Sequence, residues 1–173
     1  MATSIDDLRA AAEHEADAYR AGADVPLAGY GRVVASYGAA VLAGAAFVRL
    51  RRVPLPDRVA PLDVALIGTA TAKLSRLIAR DPVTSPFRAP FTRFEGAQGP
   101  ADFKEEPRGR GTRHAMGELV TCPFCVSQWV ATGFAFGLVL SPRATRLVAA
   151  LFASLELADL LQYARSGADK LTG

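Results

Sequence analysis

The chain is short of what most enzymes use. Among 173 residues there are two histidines, His14 and His114, and two cysteines, Cys122 and Cys125. No Ser-His-Asp set, phosphate-binding glycine loop or internal repeat is present, so catalysis would have a thin cast. Two cysteines cannot build a disulfide framework; they can form one disulfide, half of a metal site or one redox pair. A formal charge of +3 is too small to point to nucleic acid. Lysine occurs only at Lys73, Lys104 and Lys170, arginine supplying the other cations. Residues 1–24 are acidic and alanine-rich, the opposite of a basic leader followed by an apolar core, so a later hydrophobic segment would have to serve as an uncleaved signal.

What the chain does have is uncharged length. Half of its residues are hydrophobic and 21% are charged, which leaves room for a membrane region. Val33 to Val48 carries no charge between Arg32 and Arg49. Its sixteen residues span about 24 Å as a helix, and snorkelling arginines extend it toward a bilayer core of ~30 Å. Ala35, Ala39 and Ala43 would allow close helix packing. Thr121 to Leu140 has no charge across twenty residues, Trp129 near one end and a Gly133/Gly137 spacing suited to self-association or contact with other membrane proteins.

Two further helices carry charge. The segment 61–79 contains Lys73 and Arg76 one turn apart; the segment 144–164 contains Glu156 and Asp159 one turn apart. Cations within a span are costly without partners, so these four are expected to pair across the two helices; solvated helix faces are the alternative. Ahead of them, Ser4 to Ala21 reads as an amphipathic helix capped by Ser4 or Thr3 and closed by Gly22. Between Arg80 and His114, five prolines and frequent glycine and arginine argue for a long loop without regular structure, its Gly96–Gly111 part the more mobile.

Cys122 and Cys125 stand at a helix start, where the helix N-terminus can lower a thiol pKa. Disulfide exchange, a structural disulfide, simple packing and zinc ligation all remain open. A zinc site needs four ligands. His114 is the nearest imidazole, and Glu118 or a second subunit would have to complete the set. Glu118 otherwise serves as a cap or an ion-pair partner.

Lys73-Leu-Ser-Arg76-Leu-Ile, then Asp81-Pro-Val-Thr-Ser-Pro-Phe-Arg88, then Gly117-Glu118-Leu-Val-Thr-Cys122-Pro-Phe-Cys125 with Trp129, resemble the DUF1360 family of bacterial membrane proteins over about residues 60–165. Ser127 departs from a glycine common in that family. The resemblance implies an integral membrane protein with no established activity, and the family includes a sporulation-associated Bacillus relative.

The expected architecture is all-α, an integral membrane bundle of three to four spanning helices near 33–50, 61–79, 121–140 and 144–164. Its divisions are an N-terminal helix or tail (1–30), a first membrane hairpin (31–79), the Pro/Gly/Arg-rich loop (80–116), the thiol motif with a second hairpin (117–165) and a C-terminal tail (166–173). The expected role is a structural or accessory component of a bacterial cell membrane, multi-pass with the N-terminus inside, acting through protein contacts and the lipid bilayer. No cofactor is expected beyond the zinc alternative. A thiol redox or metal-binding membrane protein and a soluble helical interaction module are the competing readings.

Overall fold

The structure, a computed structural model, describes residues 4–172, with side chains as far as residue 169. Helix α1 (Ile5–Arg20) begins at a reciprocal cap. The Asp6 N–H donates to Ser4 Oγ at 3.3 Å, and the Ser4 N–H donates to Asp7 Oδ2 at 3.0 Å. Ala21 ends it in the left-handed region, followed by Gly22 at φ +84°. None of its residues is buried.

Four long helices follow: α2 (Leu27–Leu50), α3 (Pro61–Arg80), α6 (Pro123–Leu140) and α7 (Pro142–Thr172). Proline opens α3, α6 and α7, where its missing N–H costs nothing. Contacts give their directions. Tyr37 meets Trp129 and Thr132, and Gly44 meets Phe136, so α2 and α6 run parallel. Asp63 meets Arg146, Lys73 meets Asp159 and Arg76 meets Tyr163, so α3 and α7 run parallel. Successive long helices therefore alternate in direction. One end gathers the start of α2, the end of α3, the start of α6 and the end of α7.

That end is closed by the segment expected to be a loop, and here the all-α reading is corrected. A 3-10 turn (Pro82–Thr84) and helix α4 (Ser85–Arg88) lead into an antiparallel hairpin, β1 (Thr92–Gly99) with β2 (Asp102–Pro107). Its register is interrupted between Phe94 and Gly96 and again between Ala97 and Gly99. Phe94 and Phe103 stack edge to face at 4.8 Å across it. The prolines that argued against structure punctuate it instead: Pro82 and Pro86 sit in first turns, Pro100 lies in the hairpin connection and Pro107 ends a strand. The Gly96–Gly111 segment expected to be mobile thus contains most of the hairpin.

Helix α5 (Thr112–Thr121) then carries His114 and Glu118, which the sequence reading left outside any helix. Helix α7 runs on through the residues expected to be a tail.

Buried positions are mixed, Phe134, Val126 and Val48 beside Asp63, Thr71 and Ser75, while many large apolar side chains lie outside. Ala70, Ala79, Ala115 and Ala149 are buried, and the largest fully buried side chain is Arg88, 1% exposed. Phe124 is 89% exposed, Leu147 74% and Leu42 72%. Among the described residues, three helices are long and apolar enough to cross a membrane: Leu27–Leu50, Pro123–Leu140 and Pro142–Asp169. Helix α3, with Asp63, Lys73, Arg76 and Arg80, is not among them.

Small residues set the closest approaches. A Cβ on Gly117 would lie 2.7 Å from the Phe91 carbonyl oxygen and 2.9 Å from Pro107 Cβ. Gly117→Ala is expected to push α5 off the hairpin at a cost of about 1–3 kcal/mol. Thermal unfolding of the purified variant measures it, and an unchanged midpoint would show that the two elements separate freely.

Candidate functional site

Thr121 ends α5 and Cys122, in extended conformation, caps α6. The Cys125 N–H donates to Cys122 Sγ at 3.2 Å. Both thiols are free; Cys122 is half-buried and Cys125 exposed. The His114 imidazole faces Glu118 on its own helix, Nε2 to Oε1 3.5 Å. Among the described residues no three His, Cys, Asp or Glu side chains gather to hold a metal. Trp129 stacks edge-on to Tyr37 at 5.1 Å, and the Tyr37 hydroxyl joins Thr132 Oγ1 and Gln128 Nε2, each at 2.7 Å. That cluster fastens α6 to α2.

Of the four charges expected to pair, the structure brings Lys73 to Asp159, at 2.5 Å. Arg76 does not meet Glu156. The register between α3 and α7 places Glu156 nearly two turns too early, and Arg76 reaches Asp102 of the hairpin at 3.5 Å and the Tyr163 hydroxyl at 3.2 Å. Among the described residues Glu156 and Arg80 make no ion pair. The pair Asp63–Arg146, bidentate at 2.8 Å, was missed by sequence reasoning.

Asp81 and Arg88 belong to a buried knot. Asp81 Oδ1 accepts from the Val83 N–H at 3.0 Å, starting the 3-10 turn. The Thr84 hydroxyl donates to the Leu77 carbonyl at 2.6 Å, covering the end of α3. Arg88 donates to the carbonyls of Ile78 and Asp81 and to Thr84 Oγ1, and grips Glu105 through two bonds of 3.0 and 2.8 Å. Thr92 Oγ1 donates to Glu105 at 2.7 Å. Burial pushes the Glu105 pKa up, but the bonds from Arg88 and Thr92 outweigh it and hold the carboxyl below its ordinary range.

Beside the thiol motif lies a polar groove of about 610 Å3. Thr71, Ser75, Arg76 and Arg80 line it from α3, Phe124 and Ser127 from α6, Glu156 from α7, and Gln98 and Asp102 from the hairpin. Among the described residues, two buried side-chain polar atoms lack a hydrogen-bond partner, Thr71 Oγ1 and Asp102 Oδ1. Both residues line this groove.

Residues 66–165, more than half of the chain, match the family model described as "Protein of unknown function (DUF1360)". The chain belongs to the DUF1360 family. It is similar to "Sporulation protein YjcA" of Bacillus subtilis (strain 168), 29% identical over 105 residues, covering 58% of this chain and 88% of that protein. No solved structure matches the chain. The DUF1360 match begins within α3, so the knot, the thiol pair and the polar groove fall inside it, while α1 and α2 lie outside.

Proposed function

We propose that this DUF1360 protein is an integral membrane protein of the bacterial cell membrane, crossing it four times and acting as an accessory component through its contacts. The observation that carries this reading is the apolar exterior: leucines, valines and phenylalanines of three long apolar helices lie exposed. In water such a surface would associate; in lipid it is the stable arrangement, with small residues and satisfied polar groups between helices. Helix α3 completes the four spans. Asp63, Lys73 and Arg76 each have a partner, and the helix packs along both α6 and α7. The name of the similar Bacillus protein refers to sporulation and to no reaction, which agrees with an accessory role.

Fractionation tests this. The chain is expected to stay in the membrane pellet after alkaline carbonate and to need detergent for release. Recovery in the aqueous supernatant would sink the membrane reading and favour the soluble interaction module.

A second reading is supported by the free thiols at the N-terminus of α6, spaced three residues apart. Their spacing allows one disulfide between them, at the cytoplasmic face if the N-terminus is inside. A membrane-impermeant thiol reagent on intact cells addresses orientation and chemistry together. With the N-terminus inside, labelling requires permeabilisation and no reductant. Labelling of intact cells only after reduction would reverse the orientation and promote the redox reading.

A further inference from the structure

The connection from β2 into α5 reads Arg108-Gly-Arg110-Gly-Thr112-Arg113, and its cations converge. Arg108 and Arg113 donate to one oxygen, the Pro90 carbonyl, each through Nε and Nη2. The distances are 3.3 Å for both bonds from Arg108, and 2.9 and 2.7 Å from Arg113. Two guanidinium groups on a single uncharged acceptor lie side by side, where like charges repel. Arg32 of α2 joins them, donating to Thr112 Oγ1 at 2.7 Å. Arg110 is exposed in the same connection. Among the described residues none of these four arginines makes an ion pair. The connection is also firmly held. The Arg108 N–H donates to the Phe91 carbonyl at 2.9 Å, and a Cβ on Gly29 of α2 would lie 2.6 Å from the Gly111 carbonyl oxygen.

We infer that Arg32, Arg108, Arg110 and Arg113 form a site for the phosphate of an anionic glycerophospholipid at the membrane surface. The inference rests on the membrane reading above.

Chemistry and depth select this occupant. Arg108 and Arg113 spend one edge each on Pro90 and keep Nη1 for a second partner. A phosphate presents charged acceptors to both guanidinium groups at once and removes their repulsion, which a carbonyl cannot do. The acids on the elements packed around the connection do not neutralise them. Glu105 is held by Arg88, Glu106 stands opposite Arg93 in the hairpin, and Glu118 faces His114. Helix α5 starts at Thr112 without a side-chain cap, so the positive end of its dipole adds to the same field. Depth separates a lipid from a soluble anion. Arg32 is the last charge before the uncharged run from Val33 to Val48, so the site lies where the span of α2 begins, at the level of lipid head groups. On the same face as Arg32, Ala35, Ala39 and Ala43 are exposed and leave a smooth strip along which an acyl chain can lie. A soluble anion would gain nothing from that strip.

The test uses the full-length chain purified in detergent, with phosphatidylglycerol, phosphatidylethanolamine and inorganic phosphate added separately and thermal unfolding as the readout. Phosphatidylglycerol is expected to stabilise at a concentration about tenfold below phosphatidylethanolamine, the equivalent of one hydrogen bond to a charged group. Salt at about 1 M should remove most of that difference. Arg108→Gln with Arg113→Gln should abolish it. Arg108→Lys with Arg113→Lys keeps the charge without the planar fork and should lose most of it. Should these variants not fold, Arg110→Gln removes a side chain with no hydrogen bond or ion pair among the described residues and should cut the preference about threefold. Arg49→Gln with Arg143→Gln, at the opposite end of the molecule, should leave it unchanged. Equal stabilisation by the two lipids would overturn the inference. So would a preference that survives in full with the two lysines, or one that falls as far with the pair at the opposite end; either would mean unspecific attraction to charge. Inorganic phosphate stabilising as well as phosphatidylglycerol would overturn the lipid as occupant. A chain that stays in membranes after carbonate yet shows no lipid preference fails this inference alone; a chain released by carbonate fails the membrane reading beneath it.

Discussion

Replacing Arg88 with alanine should unfold the hairpin end of the molecule, at a cost of about 3–5 kcal/mol. The guanidinium is buried, and its loss removes more than an ion pair. Glu105 would stay behind, itself buried, with one hydrogen bond from Thr92 in place of a bidentate clamp. The carbonyls of Ile78 and Asp81 at the end of α3 would lose their donor. Arg88→Lys should not rescue it. An ammonium cannot offer the planar fork that reaches Glu105 on one side and α3 on the other.

The same knot gives the protein an acid-sensitive point. The folded state holds the Glu105 pKa below its unfolded value, so the carboxylate's contribution is fully present above the unfolded value of about 4.3 and is lost as pH falls through the folded one. Thermal unfolding of the purified protein between pH 7 and pH 3 should show a falling midpoint at the acid end. Glu105→Gln should be less stable than the parent at pH 7 and should lack that part of the pH dependence. An Arg88→Ala protein with a parental midpoint would mean that the hairpin contributes nothing to the bundle.

The second large effect is expected at Asp159→Lys. It sets a lysine against Lys73 between two packed helices, where the parent has an ion pair. An unpaired cation at such a site costs about 2.5–3.5 kcal/mol in a membrane. The membrane-bound level of the variant should drop sharply. The exchange Lys73→Asp with Asp159→Lys restores opposite charges in the same register and should recover most of the loss. Failure of the exchange to recover either level or unfolding midpoint would show that the pair is not what aligns α3 with α7. Arg76 gives a built-in comparison. Its contact with Asp102 is longer and partly exposed, so Arg76→Gln should cost less than either reversal.

The helices were the most legible part of the chain. Uncharged runs at 33–48 and 121–140 and the capping residue Ser4 are local signals, and the helices formed around them. The hairpin was not legible. Thr92 and the Glu105 side chain are what its strands bury, both polar, so no alternation of apolar and polar residues marks them. What makes them strands is pairing with each other and the clamp between Arg88 and Glu105, seventeen residues apart. Helix α5 was hidden because its first residues fell in the proline- and arginine-rich segment, while its Gly117 serves close packing against Phe91 and Pro107. The Gly133/Gly137 spacing divides in the same way. Gly137 is used inside the chain, its missing Cβ making room for Thr145, whereas Gly133 opens on a surface groove.

The sequence by itself determined the cores of the four long helices and which charges sit within reach of one face, because these depend on residues three or four positions apart. Only the tertiary structure decided which of those charges meet. The register of α3 against α7 is set by side chains separated by more than eighty residues, and it gives Lys73 its partner, sends Arg76 to the hairpin and leaves Glu156 facing the groove. The groove follows from the same cause: it is the space left when that register is satisfied, and no stretch of the chain contains it.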